Sequence, residues 1–253
     1  MCCFSQKVIS VSSTNIFARA AENGRQILVY SMSLEAQNDL AMILPLPVKT
    51  PAGENDVQFI DLKGYPQFFD DLRTGFPMPP APASAHSSRS MESASKAALP
   101  VIEVGDFQAS FVPTVKDFSR LDERFRLSDN AWKELPAYAD YGFAVFKLKS
   151  GAQRIHPMAF SFLNRDARLF FPTVHIHDGK VHNRATFDHT LYCQPHADQH
   201  LALGSKWEES TAHARRFMKL EKSKALIEPD QHCYRRELKG SLKNQDTFIS
   251  VAA

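Results

Sequence analysis

Apolar and polar residues alternate through much of the chain, the two-residue period of strands with one buried face. Residues 14–48 hold three such runs. The first two, 15–21 and 25–32, flank Asn23-Gly24, a pair that favours a tight hairpin turn. That turn predicts Phe17 opposite Tyr30 and Ala18 opposite Val29. The third run, 40–44, stops at Pro45-Leu46-Pro47, where a ladder loses donors. A fourth strand is expected over 57–62. A short helix should follow: Pro66 suits its first turn, Phe68, Phe69 and Leu72 share a face, and Gly75 suits the exit.

Residues 77–99 break the pattern. Pro77-Met78-Pro79-Pro80-Ala81-Pro82 runs into a Ser/Ala-rich stretch ending near Lys96, with His86 inside it. Without an apolar period, this segment reads as a linker or a long surface loop. The β pattern resumes at Val101. Residues 101–104 and 107–112 flank Gly105-Asp106, a second hairpin turn. Ser128 suits the N-cap of a helix carrying Trp132 and Leu135 and ended by Gly142. Residues 143–148 form a strand, and Met158, Phe160 and Phe162 alternate as in a half-buried one. Further strands are expected over 169–177, 181–182 and 186–193. Ser205 and Glu208 form a capping-box pattern ahead of Trp207, Ala214, Phe217 and Met218. They predict a helix whose Arg215, Arg216, Lys219, Lys222 and Lys224 make a solvated face.

The expected fold is therefore α+β: mainly antiparallel sheets, a few short helices and a longer C-terminal helix. Residues 1–76 form an N-terminal antiparallel β-rich half, and 77–100 a Pro/Ser/Ala-rich linker or long loop. Residues 101–195 form a second β-rich half with a His-rich hairpin, and 196–253 a helical C-terminal extension. The alternative is a loop inserted into one continuous sheet.

Hydrophobic residues at 43% and charged residues at 23% describe a globular chain. A formal net charge of +2 gives no electrostatic reason to expect nucleic acid or an anionic membrane as partner. No apolar run is long enough to span a bilayer, and Met1-Cys2-Cys3-Phe4-Ser5-Gln6-Lys7 lacks signal-peptide features. A cytoplasmic location is expected. The four cysteines, Cys2, Cys3, Cys193 and Cys233, contain no C-x-x-C spacing. In a reducing compartment they are free, buried or metal-bound.

The candidate chemistry lies in histidines. Six of the ten fall between His175 and His200. Strand alternation puts His175 and His177 on one face. If Asp178-Gly179 makes a two-residue turn, His182 pairs with His175, and three imidazoles converge. Three His ligands leave an open position on a metal ion. The expected cofactor is a divalent transition metal, zinc first, with copper or iron as alternatives. His189 and Asp188 are the candidate proton acceptor or supporting groups, and Cys2, Cys3 and Cys193 the candidate thiolate ligands. His196 and His200 stand at helical spacing. An H-x-H strand can equally be a half-exposed edge with no ligand role.

The opening Cys-Cys, the Thr14-Asn15-Ile16-Phe17-Ala18-Arg19 strand, the 24–32 strand and Leu40-Ala41-Met42-Ile43-Leu44-Pro45-Leu46-Pro47-Val48 resemble bacterial proteins carrying a domain of unknown function. Asp140-Tyr141-Gly142-Phe143-Ala144-Val145-Phe146 and His156-Pro157-Met158-Ala159-Phe160 resemble their second half. The resemblance implies architecture and no activity.

The leading expectation is a metal-binding protein acting as a metal-dependent enzyme, its substrate unnamed. The alternatives are a non-catalytic metal-binding or sensing protein closed by cysteines, and a metal-free scaffold or interaction protein. An N-terminal nucleophile at Cys2, exposed by loss of Met1, is a fourth idea.

Overall fold

Alternation along the strands sorts the apolar side chains into three layers. In a computed structural model, residues 2–77, 102–104, 107–177, 180–195, 200–201 and 203–252 are described. The strands up to residue 77 are β1 (Cys2–Phe4), β2 (Ser10–Ala20), β3 (Arg25–Ala36), β4 (Leu40–Leu46) and β5 (Val57–Asp61), followed by helix α1 (Phe68–Thr74). Next come β6 (Ile102–Val104), β7 (Phe107–Val112), helix α2 (Asp129–Lys133), β8 (Gly142–Leu148), β9 (Gly151–Leu163), β10 (Leu169–Phe171), β11 (His175–Ile176) and β12 (Arg184–Gln194). The chain finishes with β13 (His200–Leu201), β14 (Glu208–Glu209), β15 (Tyr234–Lys243), β16 (Thr247–Ile249) and β17 (Val251–Ala252).

Two large sheets result. One runs β11-β1-β4-β8-β7-β6, the other β14-β15-β12-β2-β3-β9-β5. Both combine strands from either side of residue 77: β4 pairs with β8, and β3 with β9. One apolar layer takes inward residues of both sheets, such as Ile16, Leu28, Leu44, Phe146, Phe160 and Leu191. The outer face of the smaller sheet packs Ile43, Phe143 and Val145 against Phe118, Ala131, Leu135 and Tyr138. The outer face of the larger sheet packs Phe17, Val29 and Tyr192 against α1 and residues Ala214, Met218 and Leu226.

The α+β expectation is corrected: strands make up 47% of the chain and helices 15%. Helix α1 forms as predicted, with Phe68, Phe69 and Leu72 buried. The Ser128 hydroxyl caps α2 by accepting from Ala131 N, but the helix ends at Lys133, well before Gly142. No long C-terminal helix exists among the described residues. Residues 203–252 instead hold β14 to β17 and short 3-10 turns at Ala214–Arg216 and Leu220–Lys222. Long-range contacts outweigh the local capping signal there. Glu208 pairs with Arg235 across the β14–β15 ladder, and its carboxylate accepts from Arg235 Nε at 3.1 Å. Phe217 fills the space over Gly75, where a Cβ would lie 2.6 Å from the ring. Lys219 N donates to the Tyr65 hydroxyl at 2.9 Å.

The first hairpin slips by one residue from its predicted register. Phe17 faces Val29 and Ala18 faces Leu28. Ala21 N bonds to Arg25 O across Glu22-Asn23-Gly24, and Asn23 and Gly24 both hold positive φ. The loop thus spends three residues on the turn rather than two, which shifts every pair behind it. Strand β9 is buried on both faces from Pro157 to Phe162 because β3 and β5 flank it.

Candidate functional site

The two large sheets meet in a corner where each contributes histidine. In β12, Phe187, His189, Leu191 and Cys193 point inward, alternating with exposed Asp188 and half-buried Thr190. His189 sits between Thr14 of β2 and Leu238 of β15. His175 opens β11 at the edge of the other sheet, paired in parallel with Cys2 of β1. Both rings are buried, and their Nε2 atoms lie 3.1 Å apart, a hydrogen bond between two imidazoles. The His177 ring lies 4.9 Å from that of His175, and Phe187 packs 4.4 Å from His175 on another side.

Burial sets the charge of this pair. It lowers His175 to about 3 and pushes His189 well below the usual histidine range. Both rings are neutral at pH 7, so one Nε2–H donates to the lone pair of the other.

A polar clasp from the C-terminal segment positions His175. Asn244 Oδ1 accepts the His175 N–H at 2.7 Å, while its Nδ2 donates to the carbonyls of His175 and His182, each at 2.9 Å. The amide side chain thus does the work of a neighbouring strand. Asp246 accepts from Thr173 N at 2.8 Å, Val174 N at 3.1 Å and the Tyr138 hydroxyl at 2.6 Å. Burial raises the Asp246 carboxyl, and Tyr138 is raised for the same reason. Neither Asn244 nor Asp246 stood out in the sequence. The signal available was the polar run Lys243-Asn244-Gln245-Asp246 between segments in which Leu238, Leu242 and Phe248 recur at even spacing.

A half-open cleft of about 320 Å³ borders the pair, walled by Ile9, Val11, Thr14, Asp188 and His177. Asp188 Oδ2 accepts from Ser13 N at 2.8 Å. Ser13 has φ 53° and falls where the β2–β3 register shifts, so the carboxylate anchors a strained bulge at the cleft rim.

This geometry overturns the metal-binding reading, whether as enzyme or as cysteine-closed sensor. Among the described residues, no group of three or more His, Cys, Asp or Glu side chains is placed to hold an ion. The predicted hairpin is the reason. Residues Asp178 and Gly179 lie outside the described residues, but β11 pairs with β1 and not with 180–182. His182 is exposed ahead of β12, whereas His175 is buried. The His175 and His189 rings spend their Nε2 atoms on each other instead of converging on a point. Zinc, copper and metal-binding thus drop out as descriptions of the chain.

The cysteines are dispersed. Cys193 shares the inward face of β12 with His189, four residues or roughly 13 Å further along, and burial pushes its thiol well up. Cys3 is buried on the opposite face of the smaller sheet, against Ile43 and Phe143. Cys2 has its backbone beside His175. Outside the corner, His156 packs on Phe107 at 4.1 Å, and the rings of His213 and His232 meet edge-on at 4.6 Å. The backbone of His200 pairs in β13, while His86 and His196 lie outside the described residues. No helix among the described residues is long and apolar enough to cross a membrane.

No family model matches the sequence. Among solved structures, the chain is similar to the crystal structure of baculovirus P35. The two are 13% identical, 96% of this chain and 97% of that chain are covered, and the TM-score is 0.51. It is also similar to the caspase-8/P35 complex at 11% identity, covering 94% of this chain and 96% of that chain, with a TM-score of 0.48. A mutated baculovirus P35 after caspase cleavage matches at 14% identity over 94% and 99%, with a TM-score of 0.46. At these identities the likeness concerns the fold.

Proposed function

We propose that this chain is a protein-binding protein of the P35 type, and that its partner is a caspase. One observation carries the reading: the likeness to P35 runs from end to end of both chains, with 96% and 97% covered at a TM-score of 0.51. Shared single sheets are common among unrelated proteins. An end-to-end match over two stacked sheets with mixed connections is a narrower coincidence, and P35 has been solved in complex with caspase-8.

The chemistry of the chain agrees with such a role. The buried histidine pair is neutral and hydrogen-bonded internally, as suits a structural junction. Cys3, Cys193 and Cys233 are buried thiols, which suits a reducing compartment and a cytoplasmic setting.

The test is a titration of purified full-length chain into caspase-8 while hydrolysis of a small peptide substrate is followed. The expected result is loss of activity that reaches completion near equimolar chain. Unchanged hydrolysis at a large molar excess rejects caspase-8 as the partner.

A further inference from the structure

Strand β15 lies one from the end of the larger sheet. Its inner side pairs with β12 along its whole length, from Tyr234 to Lys243. Its outer side is covered by β14 only at Tyr234 and Arg235. Among the described residues no strand pairs with that side beyond Arg235. An edge of this length is a template for another strand.

We infer that this edge pairs with the same edge of a second copy of the chain, antiparallel about a two-fold axis through Gly240. The sequence Arg236-Glu237-Leu238-Lys239-Gly240-Ser241-Leu242-Lys243-Asn244 reads as its own complement about that residue. Glu237 meets the partner's Lys243, Lys239 meets the partner's Ser241, and Leu238 meets the partner's Leu242. Each of these pairs occurs twice. Glu237, Lys239, Ser241 and Lys243 are all exposed, and by strand alternation they share one face of the sheet.

Backbone geometry narrows the choice of axis. In a symmetric antiparallel pair, outward-facing backbone groups must meet outward-facing ones, so the axis passes through a residue. An axis at Lys239 sets that lysine against itself and Arg235 against the partner's Lys243. An axis at Ser241 sets Lys239 against the partner's Lys243 twice. Only Gly240, of these three neighbouring positions, pairs opposite charges and opposes none that are alike.

Gly240 has φ 80°, a conformation that residues with a side chain rarely adopt. The stretch of β15 beyond the cover of β14 runs from Arg236 to Lys243 and contains Gly240. The result is a larger sheet continued into the second molecule.

The experiment is sedimentation of the full-length chain over a concentration series, with Glu237→Lys, Lys243→Glu and the double exchange. Circular dichroism checks that each variant is folded. The wild type should dimerise. Each single variant should associate roughly tenfold more weakly, because two cross-strand pairs become like-charged, and the double exchange should restore the dimer. A wild type that stays monomeric at every concentration overturns the inference, and the charges then serve to blunt the edge. A dimer indifferent to both single variants, or not restored by the double, also overturns it.

Discussion

The layer between the sheets has an aromatic centre and a polar corner of opposite chemistry. Its centre is aromatic: Phe59, Phe146 and Phe160 meet with centroids 5.5 to 6.1 Å apart, edge-on or tilted. Its corner is imidazole: His175 meets His189 at 4.6 Å and His177 at 4.9 Å. The spacing of rings is similar, but the physics is not. Phenyl rings gain from leaving water and need only shape. Buried imidazoles must find hydrogen-bond partners and give up their charge. The corner meets part of that demand with the Nε2–Nε2 bond, while His189 Nδ1 is buried without a hydrogen-bond partner among the described residues. Around it, Asn244 and Asp246 hold the backbone of residues 173–175. What looks like a metal site in a string of letters is, in space, a polar junction.

The largest difference between centre and corner should appear on truncation. Phe160→Ala removes a fully buried ring and should cost about 3–5 kcal/mol in denaturant unfolding. His189→Phe, which replaces one buried ring by another, should cost clearly less. Equal losses would mean that the corner is packed no differently from the centre.

The next effect distinguishes the two by pH. The folded pKa of His175 is lowered to about 3, below its unfolded value near 6.5. The unfolded state then binds more protons between those values, so stability is complete above pH 6.5 and falls as pH drops toward 3. His175 alone should contribute a loss of about 2 kcal/mol between pH 7 and pH 5. His189, lowered for the same reason, adds to it. The double His175→Phe/His189→Phe variant should show a shallower pH profile in urea melts, whereas Phe146→Leu should keep the wild-type slope.

How much of this was legible depended on how local the cause was. Helix α1 and the strand at β5 follow from short-range pattern, and both formed. The β2–β3 hairpin was legible, but its register turned on whether Asn23-Gly24 was the whole turn, and Glu22 joined it. In the C-terminal region Ser205 and Glu208 carry a local helix signal, while Arg235, twenty-seven residues after Glu208, draws Glu208 into a strand ladder. The histidines were found as a cluster. Their partners were not, because His175 pairs with β1 and His189 with β2 and β15, elements distant in sequence. His182 is grouped with them by the Asp178-Gly179 spacing, whereas β11 pairs with β1.

A smaller effect tests the clasp. Asn244→Ala removes three hydrogen bonds from the His175 and His182 backbone. It should cost about 1–2 kcal/mol and speed amide exchange at His175. Exchange unchanged at His175 would mean the amide is held by β1 alone.

The smallest effect expected is none. Zinc added to the chain, or a chelator, should leave the melting temperature within error, because the Nε2 atoms of His175 and His189 are already engaged with each other. A rise with zinc that vanishes in His175→Phe would reopen the corner as a ligand site.

Caspase binding is tested by mixing the full-length chain with active caspase-8 and weighing the products by size-exclusion chromatography with light scattering. A new species with the summed mass of chain and enzyme should form at the expense of both. Two separate peaks of unchanged mass, at concentrations well above those used in the activity titration, would contradict it.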